Sequence, residues 1–196
     1  MRRAALLILL SAFCLSAEAE GLAGSRLVSE LRRGGYILYL RHTATDFSKN
    51  DQGMTSFEDC TTQRNLTDAG REQARRIGEQ LRRLQIPVGR VLASPFCRTV
   101  ESALLAFGRT EKTPEVRGGP ARPDDPKRYE PLRNLLSNEV KTGENLVISS
   151  HGNPFFALFG PPYLAEGEIA VIRPAGKARF EIVARIHLAD WDALAP

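Results

Sequence analysis

The 196-residue chain contains three histidines, three cysteines, two methionines and one tryptophan. It also lacks several patterns that would name a chemistry outright. No Gly-x-Ser-x-Gly turn is present, which removes the serine hydrolases built on a nucleophile elbow. No Gly-x-x-x-x-Gly-Lys-Ser/Thr loop is present, which removes the P-loop nucleotide enzymes. Repeats, low-complexity tracts and signs of a second domain are absent. The net charge of +4 is too small for the basic footprint of a nucleic-acid binder, but it suits an anionic ligand if arginines converge. A zinc site would need three or four His, Cys or carboxylate ligands. The few candidates are scattered, so no metal and no other cofactor is expected.

The first residues read as targeting rather than fold. Met1-Arg2-Arg3 is a basic start, residues 4–15 are apolar, and Ala17-Glu18-Ala19 supplies small residues at a cleavage spacing. The apolar stretch is short for a membrane span. The expectation is a removed signal peptide over 1–19, no stable membrane anchor, and a periplasmic or secreted protein. Phe13 before Cys14 is bulky where a lipoprotein signal has a small residue. Loss of Arg2, Arg3 and Glu18 leaves a charge of +3, and residues 20–196 make one domain of ordinary size, its 42% hydrophobic content enough for a core. Cys60 and Cys97 remain. In an oxidising compartment they can form a bridge, and the other reading is two separate thiols.

Several segments carry structural signals. Ser25 is a candidate cap for a helix with Leu27, Val28 and Leu31, stopped at Gly34-Gly35. Residues 36–40 run apolar without alternation, as expected of a strand buried on both faces of a parallel sheet. A polar loop over 43–65 is long for a compact domain, and such loops are often functional. Thr67 caps a helix with Ala74, Ile77, Leu81 and Leu84 on one face, whose arginines lie mostly off that face as a solvated surface. A short strand around 90–93 leads to Ser94-Pro95 and a helix bearing Val100, Ala103, Leu104 and Phe107. Residues 110–128 read as an irregular loop. A helix over 129–138, a buried strand over 146–150, a short helix from Asn153-Pro154 and a closing hairpin (168–173 with 180–188) complete the chain. In the last strand Phe180, Ile182, Ala184, Ile186 and Leu188 share a face, and His187 lies opposite as a surface residue. Strands alternating with helices give a three-layer α/β/α sandwich with a largely parallel sheet and a C-terminal β-hairpin.

Ligands bind beyond the carboxyl ends of such strands. Three strands here end in polar groups: Arg41-His42, the segment Ser94 to Arg98, and His151. If the strands are parallel, the three ends share one edge of the sheet. Two histidines with two arginines and no adjacent carboxylate fit a phosphoryl group, whose anionic oxygens match the guanidinium fork. A neutral imidazole can attack phosphorus in line, and water then hydrolyses the phosphohistidine.

Four motifs, in order, resemble those of the histidine phosphatase (phosphoglycerate mutase-like) superfamily. They are Leu40-Arg41-His42-Thr43, the helix start from Asn65-Leu66-Thr67 to Gln73-Ala74, Ser94-Pro95-Phe96-Cys97-Arg98-Thr99, and Ser150-His151-Gly152-Asn153. The resemblance implies that His42 is the nucleophile, that Arg41 and Arg98 clamp the phosphoryl oxygens, and that His151 donates to them. Arg64 is either a further phosphate contact or a surface arginine. Thr43 stands where the family often has glycine. A general acid has no clear counterpart: Glu115, Asp124, Asp125 and Glu130 are candidates, and without an acid, activated leaving groups would be favoured. The expected activity is metal-independent hydrolysis of a phosphate ester or phosphoramidate. The expected partner is a phosphorylated small molecule or envelope glycolipid, for instance a cell-envelope sugar phosphate. A small exported family member without a cap domain fits better than a mutase. The reading from another class is a non-catalytic phosphate-binding or interaction protein that retains the fold.

Overall fold

In the computed structural model, which describes residues 21–117 and 127–194, a strand at the centre of the sheet is paired on both sides. Strand β1 (Ile37–Arg41) pairs in parallel with β4 (Asn145–Ser150) and antiparallel with β5 (Ile169–Pro174). Strand β2 (Val88–Ala93) lies parallel to β4, and β6 (Phe180–Ile186) closes a hairpin on β5. With the two-residue edge strand β3 (Glu111–Lys112), the order is β3-β2-β4-β1-β5-β6. The unbroken apolar run of β1 has the cause expected of it. Leu38 and Leu40 enter one core and Ile37 and Tyr39 the other, because successive side chains point to opposite faces.

Helices α1 (Gly24–Arg33), α2 (Asp68–Arg83) and α3 (Cys97–Phe107) cover the first face, and Trp191 is fully buried among them. Helices α4 (Glu130–Ser137) and α5 (Gly152–Phe159) cover the second. The three-layer α/β/α sandwich with its closing hairpin is therefore the observed fold. The signal segment 1–19 and the acid candidates Asp124 and Asp125 lie outside the described residues. No helix of the described residues is long and apolar enough to cross a membrane.

Some details differ from the sequence reading. The first helix is not capped by Ser25: it begins after Ala23, whose carbonyl already accepts from the Leu27 amide. Leu104 is 47% exposed, because α3 turns Arg98, Ser102, Ala103 and Ala106 inward instead. The loop after α3 contains β3 and a 3-10 turn at Pro114–Val116. The shared face expected of the last strand is broken. Pairing slips between Val171–Ala184 and Ile172–Ile182, so Val183 is an extra residue. Phe180 and Ile182 pack on the second face, while Val183 and Ile186 pack on the first, as a β-bulge requires.

Two devices fix the long loop after β1. Thr67 caps α2 by accepting from the Gly70 amide, and its own amide donates to Ala44 O at 3.0 Å. The approach is close enough that a Cβ at Gly70 would lie 2.0 Å from Ala44 O. At the far end Cys60 and Cys97 form a disulfide with Cα atoms 5.8 Å apart, which joins the loop to the first residue of α3. A bridge closing 37 residues contributes about 2–4 kcal/mol. Reduction, or the Cys60→Ala/Cys97→Ala double substitution, should lower the thermal midpoint by roughly 4–16 °C, read by calorimetry against the oxidised protein.

Candidate active site

The parallel register of β1 on β4 sets Arg41 opposite Ser150, so the next residue of each strand, His42 and His151, emerges at the same edge. Their rings lie 5.5 Å apart in an edge-to-face arrangement. Strand β2 ends beside them: Ser94 N donates to Ser149 O, and the Ser94 hydroxyl lies 2.8 Å from His151 Nε2. Arg98, in the first turn of α3, reaches the same point. All five residues expected from sequence, Arg41, His42, Arg64, Arg98 and His151, line one cavity of about 510 Å3. That is larger than a bare phosphate needs and within the range for small-molecule sites.

His42 is 1% exposed. Its Nδ1 sits 3.0 Å from Thr43 O. A carbonyl has no proton to give, so Nδ1 carries the hydrogen and Nε2 keeps its lone pair. Burial pushes the His42 pKa well below the usual histidine range, and Arg98, Arg41 and Arg64 push it further in the same direction. A neutral imidazole with a free Nε2 is the form a nucleophile needs. Thr43 does not intrude on the site: its amide donates to Ser102 Oγ at 3.1 Å and its hydroxyl turns to the same oxygen. The Thr43 side chain is thereby held against α3.

His151 is also held neutral, first by burial and then by Arg98 and His42. Its carbonyl accepts from Tyr39 Oη at 2.8 Å, and Phe96 meets its ring edge-to-face. The Ser94 hydroxyl can donate to Nε2 or accept from it. His151 can therefore keep that bond while Nδ1 either accepts from Arg98, whose Nη2 lies 3.5 Å away, or donates to an anion.

Burial lowers the pKa of the Arg41 and Arg98 guanidinium groups from their ordinary range. Arg41 donates to Leu164 O at 2.7 Å, and its guanidinium carbon lies 5.1 Å from the Tyr163 ring centroid. Arg98 stacks on Phe96 at 4.4 Å and bonds Asp51 at 3.0 Å. The Nε–H groups of Arg41, Arg64 and Arg98 are buried with no acceptor among the described residues. Three guanidinium groups lining one cavity make a ligand with several anionic oxygens its natural occupant. Arg64 is a cavity residue rather than a surface one, its guanidinium stacked 4.6 Å over Phe47.

One expectation is corrected. A carboxylate does stand beside a histidine: Glu166 Oε1 is 3.8 Å from His42 Nδ1 and 3.4 Å from Arg41 Nη2. Glu166 also accepts from the Thr45 hydroxyl at 2.7 Å and the Thr45 amide at 3.2 Å. It was missed because it lies far along the chain, yet it had a signal. It precedes β5, and β5 runs antiparallel to β1, so its start meets the end of β1. Asp51 was missed too, on the loop already notable for its length. The acid candidates Glu115 and Glu130 are exposed and line no part of the cavity. Among the described residues no three His, Cys, Asp or Glu side chains cluster to hold a metal ion.

Two buried neutral histidines couple folding to pH. Their folded pKa values lie below the ordinary value of 6.5, so the unfolded chain binds more protons once pH drops below that value. Stability present above about pH 6.5 is then lost as pH falls, by up to about 1.4 kcal/mol per pH unit for each histidine. Urea unfolding at pH 7.5, 6.5 and 5.5 should show this decline, and His151→Gln should roughly halve its slope. An unchanged slope in that variant would contradict the assignment.

The histidine phosphatase superfamily (branch 1) matches residues 37–119, which hold β1, the loop, α2, β2 and α3. No curated protein sequence matches significantly. Among solved structures, the protein histidine phosphatase SixA complexed with tungstate is similar at 18% identity and a TM-score of 0.55, over 79% of this chain and 98% of its own. A mycobacterial glucosyl-3-phosphoglycerate phosphatase is similar at 16% identity and a TM-score of 0.54, over 76% and 98%. Mycobacterial hydrolase 1 is similar at 16% identity and a TM-score of 0.56, over 76% and 97%. The segment over 37–119, which carries the first three motifs, is thus similar to the histidine phosphatase superfamily, and the fold is similar to that of these solved structures.

Proposed function

We propose that the protein is a metal-independent phosphatase working through a phosphohistidine on His42. The observation that carries this reading is the cavity in which a neutral His42, its Nε2 lone pair free, lies among Arg41, Arg98 and His151. The arginines hold the phosphoryl oxygens, and Nε2 attacks phosphorus as the P–O bond to the leaving group breaks. Water then attacks phosphorus, the P–N bond breaks, phosphate leaves, and His42 returns to its starting tautomer. Fixed donors around the equatorial oxygens favour the transition state, each worth about 3 kcal/mol. Glu166 orients Arg41 and faces the Nδ1 side of His42, where positive charge grows as Nε2 is phosphorylated.

The substrate we favour is a phosphate ester of a small molecule, with a cell-envelope sugar phosphate as the leading case. A cavity of about 510 Å3 leaves room beyond the phosphoryl group, and its rim carries Tyr163, Asn153, Asn50 and Lys49, an aromatic face with polar groups suited to a hydroxylated ring. The similar glucosyl-3-phosphoglycerate phosphatase is named for a substrate of this kind. A non-catalytic phosphate binder would not require an unprotonated Nε2. Turnover of an aryl phosphate should be abolished by His42→Ala and reduced on the order of a hundredfold or more by Arg98→Ala. A 32P-labelled, acid-labile adduct should be trapped on wild type and absent from His42→Ala. Wild-type turnover that survives His42→Ala would defeat the proposal.

We also propose export to the periplasm or beyond. Support comes from the basic-then-apolar pattern of residues 1–19 and from the Cys60–Cys97 bridge, a bond favoured in oxidising compartments. Fractionation of cells expressing the full chain should recover it outside the cytoplasm, shortened by 19 residues. Intact mass with an uncleaved start in the cytosolic fraction would oppose it.

A further inference from the structure

The far side of the reaction needs a proton for the departing oxygen, and two carboxylates stand close to the arginine clamp. Glu166 is already committed. Oε1 takes the Thr45 hydroxyl and Arg41, Oε2 takes the Thr45 amide, and the side chain does not line the cavity. Its place beside His42 Nδ1 is behind the nucleophile rather than opposite it. Asp51 differs on each count. It lines the cavity, its side chain is 29% exposed, and both of its bonds fall on one oxygen. Oδ1 accepts from Arg98 Nη1 at 3.0 Å and from the Arg64 amide at 2.9 Å, while Oδ2 has no partner among the described residues.

The direction of attack selects between them. His42 and His151 are buried at the base of the cavity, so a substrate enters from the open side and an in-line leaving group points back toward it. The loop residues Lys49, Asn50, Asp51 and Met54 form a wall of that opening. The position of the loop is built rather than incidental. Gln63 accepts from the Cys97 amide at 2.9 Å and donates to the loop carbonyls of Phe57 and Asp59, and the disulfide secures the loop to α3 beside Arg98.

We propose that Asp51 is the acid that protonates the leaving-group oxygen, an inference that rests on the phosphohistidine reading above. A phosphoryl group seated on Arg98 brings anionic oxygens against the Asp51 carboxylate, and uptake of a proton on Oδ2 relieves the repulsion. In the first half-reaction the Nε2–P bond forms, the P–O bond breaks, and the Asp51 proton passes to the departing alkoxide. In the second, the Asp51 carboxylate takes a proton from water as its oxygen bonds phosphorus and the P–N bond breaks. Acid and imidazole are both restored, and ester plus water has become alcohol plus phosphate. An acid on this loop makes unactivated alkyl esters, sugar phosphates among them, competent substrates.

The test is Asp51→Asn, whose amide oxygen keeps the acceptor for Arg98 and for the Arg64 amide while removing the proton. Wild type and variant are compared on glycerol phosphate, phenyl phosphate and 2,4-dinitrophenyl phosphate. The expected result is a loss on the order of a hundredfold or more on glycerol phosphate, with less than about a threefold change on the dinitrophenyl ester, whose leaving group needs no proton. An equal loss on all three esters, no loss on any, or a gain on all would overturn the assignment, the last by making Asp51 a plug on the anion site. Should wild type turn over none of the three, the phosphatase reading itself fails, a result separate from any difference between the two proteins.

Discussion

Everything at the site depends on the parallel pairing of β1 with β4. A parallel ladder has its strand ends on the same side, and the Arg41–Ser150 register makes the two histidines the first residues past it. A slip of one residue would turn both strands' side chains to the wrong faces, because the side-chain period is two. The register is held by burial. Leu38, Leu40 and Val147 have one core to fill, Tyr39 and Ile148 the other, and each is fully enclosed. The position of the reactive groups is thus a by-product of apolar packing along five residues, and no separate device is needed to bring segments over a hundred residues apart into contact.

That placement creates an electrostatic conflict. Two imidazoles and three guanidinium groups line one cavity, and burial disfavours the charged forms of His42, His151, Arg41 and Arg98. The imidazoles answer by staying neutral. The arginines are held by carbonyls, aromatic faces and the two carboxylates Glu166 and Asp51. The two carboxylates come from separate segments, Glu166 from just before β5 and Asp51 from the loop after β1.

The sequence carried the floor of this cavity more clearly than its walls. Arg41, His42, Arg98 and His151 were legible because each follows an apolar strand or sits in a motif whose spacing is set by one turn of chain. The bulge at Val183 was not, since alternation alone cannot show where a strand inserts an extra residue. Glu166 was hidden by chain distance: only the antiparallel placement of β5 on β1 brings it to Arg41. Asp51 was hidden for another reason, because the course of a 23-residue loop over 43–65 is decided by contacts such as Gln63 with Cys97 and the disulfide, not by local pattern. The exposed Leu104 shows the same limit within a helix, where a modest shift of the packed face changes which apolar residue is left outside.

The loop's closure has a consequence for how a protein of this fold diversifies. Thr45 pairs with Leu66 in an isolated bridge, and Asp46 N donates to Asn65 O, so the stretch between leaves and re-enters the fold at one narrow neck. Its length and composition can therefore drift without altering the spacing of the strand ends beneath it. Descendants of one ancestor could share an unchanged floor of strand ends and differ only in the cassette that walls the cavity above it.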